Sequence, residues 1–126
     1  MGKQVVATSK APGAIGPYSQ GIDAGNLVFT SGQLPIDMRT GEMETTDIAL
    51  ATRYALENVR AILQAAGLDL AQVVKTTVFL TDLADFVAVN QAYASFFPQN
   101  PPARSCIEVA ALPKGARIEI EAVAVK

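Results

Sequence analysis

The sequence contains no histidine and a single cysteine, Cys106, in 126 residues. Without imidazole, His-containing catalytic triads, His-ligated zinc and imidazole acid–base chemistry are all excluded. A single thiol excludes an intrachain disulfide and a cysteine metal cluster. Cys106 is better interpreted as a small buried residue than as a nucleophile, because no histidine is present to activate it.

Basic residues are sparse and scattered. The chain has 10 Lys and Arg against 12 Asp and Glu, which gives a net charge of −2 and a pI near 5.0. No two basic residues are adjacent, so neither a nucleic-acid surface nor a membrane surface is indicated. The longest uncharged stretch, residues 86–103, contains amides and prolines that exclude a membrane span. Since no signal-peptide layout is present, we expect a cytoplasmic protein.

The length fits one domain, which we predict over residues 1–126. Breaker-rich segments separate short apolar runs, which predict strands. Pro35 to Glu44 reads as a loop that turns at Thr40-Gly41. The predicted strands are Val5–Thr8, a hairpin around Asp23–Asn26 whose second strand is Leu27–Gln33, then Val73–Thr81, Ala103–Val109 and Ala116–Val125.

Two helices are predicted between these strands. The first has Thr45 or Thr46 as its N-cap and ends at Gly67. The second follows Asp82 as its N-cap and runs to about Phe97, before a proline. The resulting order, β-β-β-α-β-α-β-β, predicts an α+β fold with one mixed sheet and both helices packed on one face.

Two predicted strands are apolar on both faces, a pattern typical of sheets that are covered on both sides. Two helices cover only one side, so we expect the other to pack against another copy of the chain. The alternating sets are Leu27 and Phe29 against Val28 and Thr30, and Val73, Thr77 and Phe79 against Val74, Val78 and Leu80.

Arg104 and Glu121 stand out in the last two strands. Strand alternation suggests that both project from the side of the sheet without helices. An arginine there could hold a carboxylate by two hydrogen bonds, and a carboxylate could orient or deprotonate a water. From spacing alone, a structural ion pair between the two residues is the better-supported interpretation.

Other polar residues leave alternatives open. Asn90 lies on the apolar stripe of the second helix, where a structural amide and a ligand contact are equally supported. Tyr18, in an irregular segment, could pack or could line a pocket. Gly13, Gly16 and Gly21 lack the strand–turn–helix context of a phosphate-binding loop.

Five segments together resemble the reactive intermediate deaminase family, also called RidA or YjgF-like. The resemblance covers essentially the whole chain, and its segments occur in the family's order. They are residues 14–21 (AIGPYSQG), 29–35 (FTSGQLP), 58–59 with 65–67 (NV, AAG), 74–80 (VKTTVFL) and 102–122 (PARSCIEVAALPKGARIEIEA).

The resemblance implies a chorismate-mutase-like homotrimer with pockets at the subunit interfaces. The implied reaction is hydrolysis of 2-iminopropanoate and 2-iminobutanoate, or their enamine tautomers, to 2-oxo acids and ammonia. No metal or cofactor is required, and the expected partners are small 2-imino and 2-oxo acids rather than nucleic acid or membrane.

By the same resemblance, Arg104 grips the substrate carboxylate and Glu121 positions the attacking water. The residues implied to line the pocket are Tyr18, Ser31, Gly32, Asn90 and Cys106, the last through its backbone. Two other functions stay open: a non-catalytic regulatory trimer that binds small carboxylates, and an RNA-cleaving translation inhibitor.

Overall fold

A computed structural model describes residues 2–126, and it contains one main sheet and two helices. The elements are β1 Gln4–Val6, β2 Gly21–Asp23, β3 Leu27–Thr30, β4 Ile36–Asp37, β5 Glu42–Met43, α1 Ile48–Ala65, β6 Val73–Leu80, α2 Phe86–Ala94, β7 Ala103–Glu108 and β8 Ile118–Val125. Strands β1–β3 and β6–β8 form the main sheet in the order β1-β2-β3-β8-β6-β7, in which β6 and β7 are parallel and the other pairs antiparallel. The predicted α+β class with a mixed sheet is therefore confirmed.

The start of α1 differs from the prediction by one or two residues. Asp47 is the N-cap, and its side chain accepts a hydrogen bond from the Leu50 amide at 3.1 Å. Thr46 instead donates its hydroxyl and its amide to the Glu44 carboxylate. Gly67 follows the helix with φ +81°, the left-handed conformation expected of the residue that ends it.

Helix α2 starts later and ends earlier than predicted. Asp82 caps a short 3-10 turn over residues 83–85, and α2 itself begins at Phe86. The helix ends at Ala94, because the amides of Phe96 and Phe97 bond three residues back and tighten the chain into turns. Neither helix within residues 2–126 is long and apolar enough to span a bilayer.

The core lies between the sheet and the two helices, which pack on the same face as predicted. Its sheet side chains belong to β3, β6 and β8. Each fully buried leucine or isoleucine stabilises the folded state by about 1.5–3 kcal/mol relative to an exposed one. The buried side chains of this core include Val28, Val78, Leu80, Ile118 and Ile120 from the sheet and Leu56, Val59, Leu63, Val89 and Tyr93 from the helices.

A β-bulge near the start of β6 corrects the predicted alternation. Val73 lies opposite Ala124, whereas Lys75 lies opposite Val123, so Val74 is an extra residue in the strand. Val73 is therefore buried on the helix side, and the prediction that grouped it with Thr77 is wrong. From Lys75 onward the strand alternates regularly.

The second face of the main sheet has no cover from residues 2–126. Phe29 and Ile107 are 42% and 44% exposed there, and Val5 is exposed beside them. Val123, opposite Phe29, continues the apolar surface across the sheet. An uncovered apolar surface on a sheet is typical of an interaction site, in agreement with the expected packing against another copy.

The loop predicted over Pro35 to Glu44 contains a small hairpin, β4 with β5, that the sequence did not reveal. Its strands have two residues each, too short for a periodic pattern. The predicted turn is correct, since Gly41 adopts φ +78°. The buried Asn58 of α1 donates to the carbonyls of Leu34 and Ile36 and fixes the hairpin to the helix.

Gln20 holds the irregular N-terminal segment against the sheet. Its Oε1 accepts from the Thr8 amide at 2.7 Å, and its Nε2 donates to the carbonyls of Thr8, Ala11 and Pro12 at 3.0, 3.2 and 2.8 Å. Because Gln20 itself is only 5% exposed, these bonds fix the backbone that precedes Tyr18.

We expect Gln20→Ala to lower the free energy of unfolding by about 2 kcal/mol, since backbone groups of the segment lose their partners. Urea unfolding of the purified protein measures this change. Gln91→Ala on the exposed side of α2 is the control, with an expected change within about 0.5 kcal/mol. Equal unfolding curves for the two variants would contradict the role given to Gln20.

Candidate functional site

Arg104 lies on the helix side of the sheet. In the parallel pair of β6 and β7 it is directly opposite Thr76, which is itself opposite Ala122 in β8. Residues directly opposite each other share a face, and both Thr76 and Ala122 are buried beneath the helices. Because β7 is the edge strand, Arg104 stands at the margin of the sheet.

The guanidinium of Arg104 is held by aromatic rings. Its Cζ lies 4.8 Å from the centre of the Tyr93 ring and 5.5 Å from the centre of the Phe86 ring, both on α2. Within residues 2–126 it forms no ion pair and no hydrogen bond. Its planar set of N–H donors is therefore free to bind a carboxylate.

Asn90 lies on the same face of α2, between the two aromatic residues. Phe86, Asn90 and Tyr93 are spaced by four and three residues, which places them side by side along the helix. The Asn90 Oδ1 is buried and has no hydrogen-bond partner within the part of the chain described, residues 2–126. An unmet buried acceptor is costly, so this oxygen is suited to receive an N–H from a ligand.

Cys106 follows two residues after Arg104 and points to the same side of β7. Burial raises the pKa of its thiol, an effect that the positive charge of Arg104 partly offsets. The thiol is therefore neutral near pH 7, which agrees with a residue that is not a nucleophile. We call Arg104, Asn90, Cys106, Phe86 and Tyr93 the arginine cluster.

Glu121 lies on the opposite face of the sheet from Arg104. It is opposite Thr77, which is opposite Ser105, and this row faces away from the helices. The expectation that Arg104 and Glu121 project from the same side is therefore wrong for Arg104. An ion pair between them within one chain is excluded by the same register, because the sheet separates the two side chains.

Glu119 is a candidate that the sequence analysis did not select. It lies on the same face as Glu121, and its carboxylate fills the space where a Cβ on Gly32 would stand. Burial raises the pKa of the Glu119 carboxyl, and the negative charge of Glu121 raises it further. In the sequence, Glu119 and Glu121 alternate onto the same face of the predicted strand. That pattern did not show which of the two belongs to the site.

Tyr18, Ser31 and Gly32 belong to the same side of the molecule as Glu119. Tyr18 and Gly32 line a small cleft of about 70 Å³. Ser31 donates its hydroxyl to the Ser19 carbonyl at 2.6 Å, which ties the end of β3 to the segment that carries Tyr18. We call Tyr18, Ser31, Gly32, Glu119 and Glu121 the glutamate cluster.

The structure thus divides the predicted site residues into two groups on opposite faces of one sheet. The arginine cluster offers a free guanidinium and an unmet amide oxygen for an anionic ligand. The glutamate cluster offers a carboxyl with a raised pKa, which is suited to proton transfer. A larger cleft of about 560 Å³ between α1 and β4 contains none of the predicted residues, and its Arg39 is paired with Asp37 at 3.1 Å.

Comparison with known proteins gives matches along the whole chain. The Endoribonuclease L-PSP family profile matches residues 8–126. An Escherichia coli (strain K12) protein named 2-iminobutanoate/2-iminopropanoate deaminase is 53% identical over 126 residues, and the match covers 98% of each chain. A RutC family protein of Haemophilus influenzae is 56% identical over 127 residues, with 98% of this chain and 97% of the relative covered.

Solved structures agree with these sequence matches. The crystal structure of E. coli TdcF with bound serine superposes with a TM-score of 0.93 at 50% identity, and 98% of each chain is covered. At this coverage the likeness of the backbone extends over the main sheet and both helices.

We expect Gly32→Ala to displace the Glu119 carboxylate, because the added methyl group would occupy its position. The carboxylate is the end of a flexible side chain, so the fold should tolerate the change while the pKa of Glu119 moves down toward its ordinary value. NMR titration of the carboxyl carbon measures this pKa.

Gly13→Ala is the matched control, because a Cβ at Gly13 meets nothing within 4 Å. It should leave the titration of Glu119 unchanged. A raised pKa that persists in Gly32→Ala would show that the contact with Gly32 does not determine the burial of Glu119.

Proposed function

The chain belongs to the Endoribonuclease L-PSP family, also known as the reactive intermediate deaminase (RidA, YjgF-like) family, and we propose that it hydrolyses small 2-imino acids to 2-oxo acids and ammonia. The observation that carries this proposal is the free guanidinium of Arg104 beside the unpartnered Oδ1 of Asn90. In the reaction, water adds to the C=N carbon and the amino group leaves as ammonia. The substrates proposed are 2-iminopropanoate and 2-iminobutanoate.

Arg104 binds the substrate carboxylate in this proposal. Its planar fork matches a carboxylate with two parallel hydrogen bonds, and among residues 2–126 no acidic side chain is paired with it. Arg104 is partly buried against two rings, which lowers the local dielectric and strengthens the pairing. The 2-oxo acid product carries the same carboxylate and should bind in the same way.

Asn90 orients the imine group. Its Oδ1 lacks a donor, and a protonated imine carries an N–H that fits this need. The protonated form is also the more electrophilic one, so an acceptor at this position favours the reactive species. With the carboxylate on Arg104 and the nitrogen on Asn90, the C=N carbon is fixed for attack.

A carboxylate of the glutamate cluster accepts a proton from the attacking water. The geometry favours Glu119 over Glu121. The Glu119 carboxylate occupies the space beside Gly32 that a larger residue would fill with its Cβ, and burial raises the pKa of this carboxyl. Water loses a proton to Glu119 as its oxygen bonds to carbon, and the same proton can then reach the departing nitrogen. Glu121, the residue indicated by the family resemblance, is the alternative that the variants below distinguish.

Two copies of the chain are needed to complete such a site. The two clusters lie on opposite faces of one sheet, so a water on Glu119 cannot reach a ligand held by Arg104 of the same chain. Arg104 stands on an edge strand, where the uncovered face of a neighbouring copy can approach it. We therefore propose that the arginine cluster of one copy and the glutamate cluster of another enclose the substrate, in the homotrimer expected for this family.

The RNA-cleaving alternative has weaker support in this chain. Four of its ten basic side chains, Arg39, Arg60, Arg117 and Lys126, are ion-paired with aspartates. A phosphate backbone is usually bound by several unpaired basic residues on one surface. The regulatory alternative, binding without turnover, has weaker support because a relative 53% identical over 126 residues is named a 2-iminobutanoate/2-iminopropanoate deaminase.

Conservative variants separate the roles of the three charged residues. Arg104→Lys should weaken binding of 2-oxobutanoate about tenfold or more, since one charged hydrogen bond is lost. Glu119→Gln should lower kcat by about 10²–10⁴-fold while product binding persists. Glu121→Gln should retain most activity. Calorimetry with 2-oxobutanoate and trapping of imines generated in situ measure these effects.

The pH dependence of the Tm provides an independent test of the raised pKa of Glu119. Its raised pKa means that the folded state disfavours the carboxylate, so Glu119→Gln should raise the Tm near pH 7. Below about pH 4 the wild-type carboxyl is protonated in both the folded and unfolded states, and the gain should vanish. If Glu121→Gln abolishes turnover and Glu119→Gln does not, Glu121 is the base and our assignment is wrong.

Mixing two inactive variants tests whether the site lies between copies. Arg104→Ala and Glu119→Gln, refolded or coexpressed together, should recover about a quarter of wild-type turnover by random assortment in a symmetric oligomer. Each variant alone should stay inactive, and light scattering should show an oligomer in all cases. No recovery in proven mixed oligomers, or a monomer at micromolar concentration, would overturn the shared site.

A further inference from the structure

We propose that Tyr93 is a positioning residue for substrate binding: its ring, fixed by Thr76, holds the Arg104 guanidinium in place and leaves all its donors free. The inference rests on the proposed function in one respect, the binding of the substrate carboxylate by Arg104. It adds two residues, Tyr93 and Thr76, to which the family resemblance assigned no role in the site.

Tyr93 is anchored in the core. Its hydroxyl and the Thr76 Oγ1 are 2.7 Å apart, and Thr76 is fully buried in β6, between β7 and β8. The ring also packs against Phe97 with centres 4.7 Å apart. A ring held at its hydroxyl and along its side has one orientation, so whatever rests on it is positioned too.

The strand register aligns this anchor with Arg104. Thr76 lies directly opposite Arg104 in the parallel pair of β6 and β7. The residue that binds the Tyr93 hydroxyl is thus the immediate cross-strand neighbour of the arginine under the ring. The guanidinium carbon is 4.8 Å from the ring centre, within the distance of a cation–π contact.

A ring suits this task better than a carboxylate would. An acidic partner would occupy the guanidinium N–H groups and cancel its charge, so a substrate carboxylate would have to displace it. An aromatic face attracts the cation without accepting those hydrogen bonds. Burial raises the pKa of the Tyr93 hydroxyl, so the phenol stays neutral and adds no competing charge.

Phe86 supplies a second, looser contact. Its ring centre is 5.5 Å from the guanidinium carbon, and the residue is 38% exposed in the first turn of α2. Because it has no comparable anchor, we expect its contribution to be smaller than that of Tyr93. It offers a test that leaves the core undisturbed.

The test is a double-mutant cycle on binding of 2-oxobutanoate to the oligomeric protein, measured by calorimetry. Tyr93→Leu should weaken binding about tenfold, the range of a desolvated cation–π contact. Tyr93→Phe keeps the ring and should stay within about threefold. In steady-state kinetics KM should rise with kcat nearly unchanged, since the carboxylate is held equally in substrate and transition state.

The decisive comparison is the same substitution in an Arg104→Ala background, where no cation remains over the ring. If Tyr93 acts through Arg104, Tyr93→Leu should then have no further effect on affinity. An equal loss of affinity in both backgrounds would mean a merely structural role and would overturn the inference. Tyr54→Leu, a tyrosine on α1 outside the arginine cluster, is the control and should leave affinity unchanged.

Three further outcomes are distinguishable. If Tyr93→Leu does not fold, Phe86→Leu takes its place, with about a threefold loss expected in the wild-type background and none beside Arg104→Ala; a loss of equal size in both would overturn the inference. If Arg104→Lys binds 2-oxobutanoate like wild type, the carboxylate role in the proposed function fails, and this inference fails with it. If Arg104→Lys weakens binding and the ring variants do not, the proposed function stands and only the inference fails.

Discussion

Strand β6 pairs with β8 on one side and with β7 on the other, and both side-chain clusters depend on this shared register. One row across the three strands places Ala122, Thr76 and Arg104 toward the helices. The next row places Glu121, Thr77 and Ser105 on the open face. Since side chains alternate with every residue, a slip of one position in β7 would exchange the faces of its charged and neutral residues.

The separation of charges follows from that register. Arg104 on β7 and the two glutamates on β8 carry opposite charges, yet β6 separates the two strands and the side chains point to opposite faces of the sheet. No ion pair forms between them within residues 2–126. The separation changes the properties of both Arg104 and Glu119. Arg104 rests on aromatic rings with its donors free, and the pKa of Glu119 is raised by its burial and by the negative charge of Glu121.

The same arrangement links assembly to chemistry. The helices bury one face of the sheet, and the face that carries Glu119 also carries the exposed apolar residues Phe29 and Ile107. A second copy that covers this face would bring its own edge strand near the glutamates. In the proposed assembly, association buries apolar surface and joins the two clusters in one step.

The sequence by itself determined the fold class and the order of the two helices and the six strands of the main sheet, because periodicity, breakers and capping residues act locally. It also indicated the uncovered face, through strands that are apolar on both sides. It could not decide which face Arg104 occupies, since β7 has no hydrophobic alternation of its own and its side is set by pairing with β6. The bulge at Val74, the contact between Glu119 and Gly32, and the ring of Tyr93 over Arg104 likewise join residues distant in the chain. Those were decided only by the tertiary structure, because pairing register and packing depend on partners that no local pattern specifies.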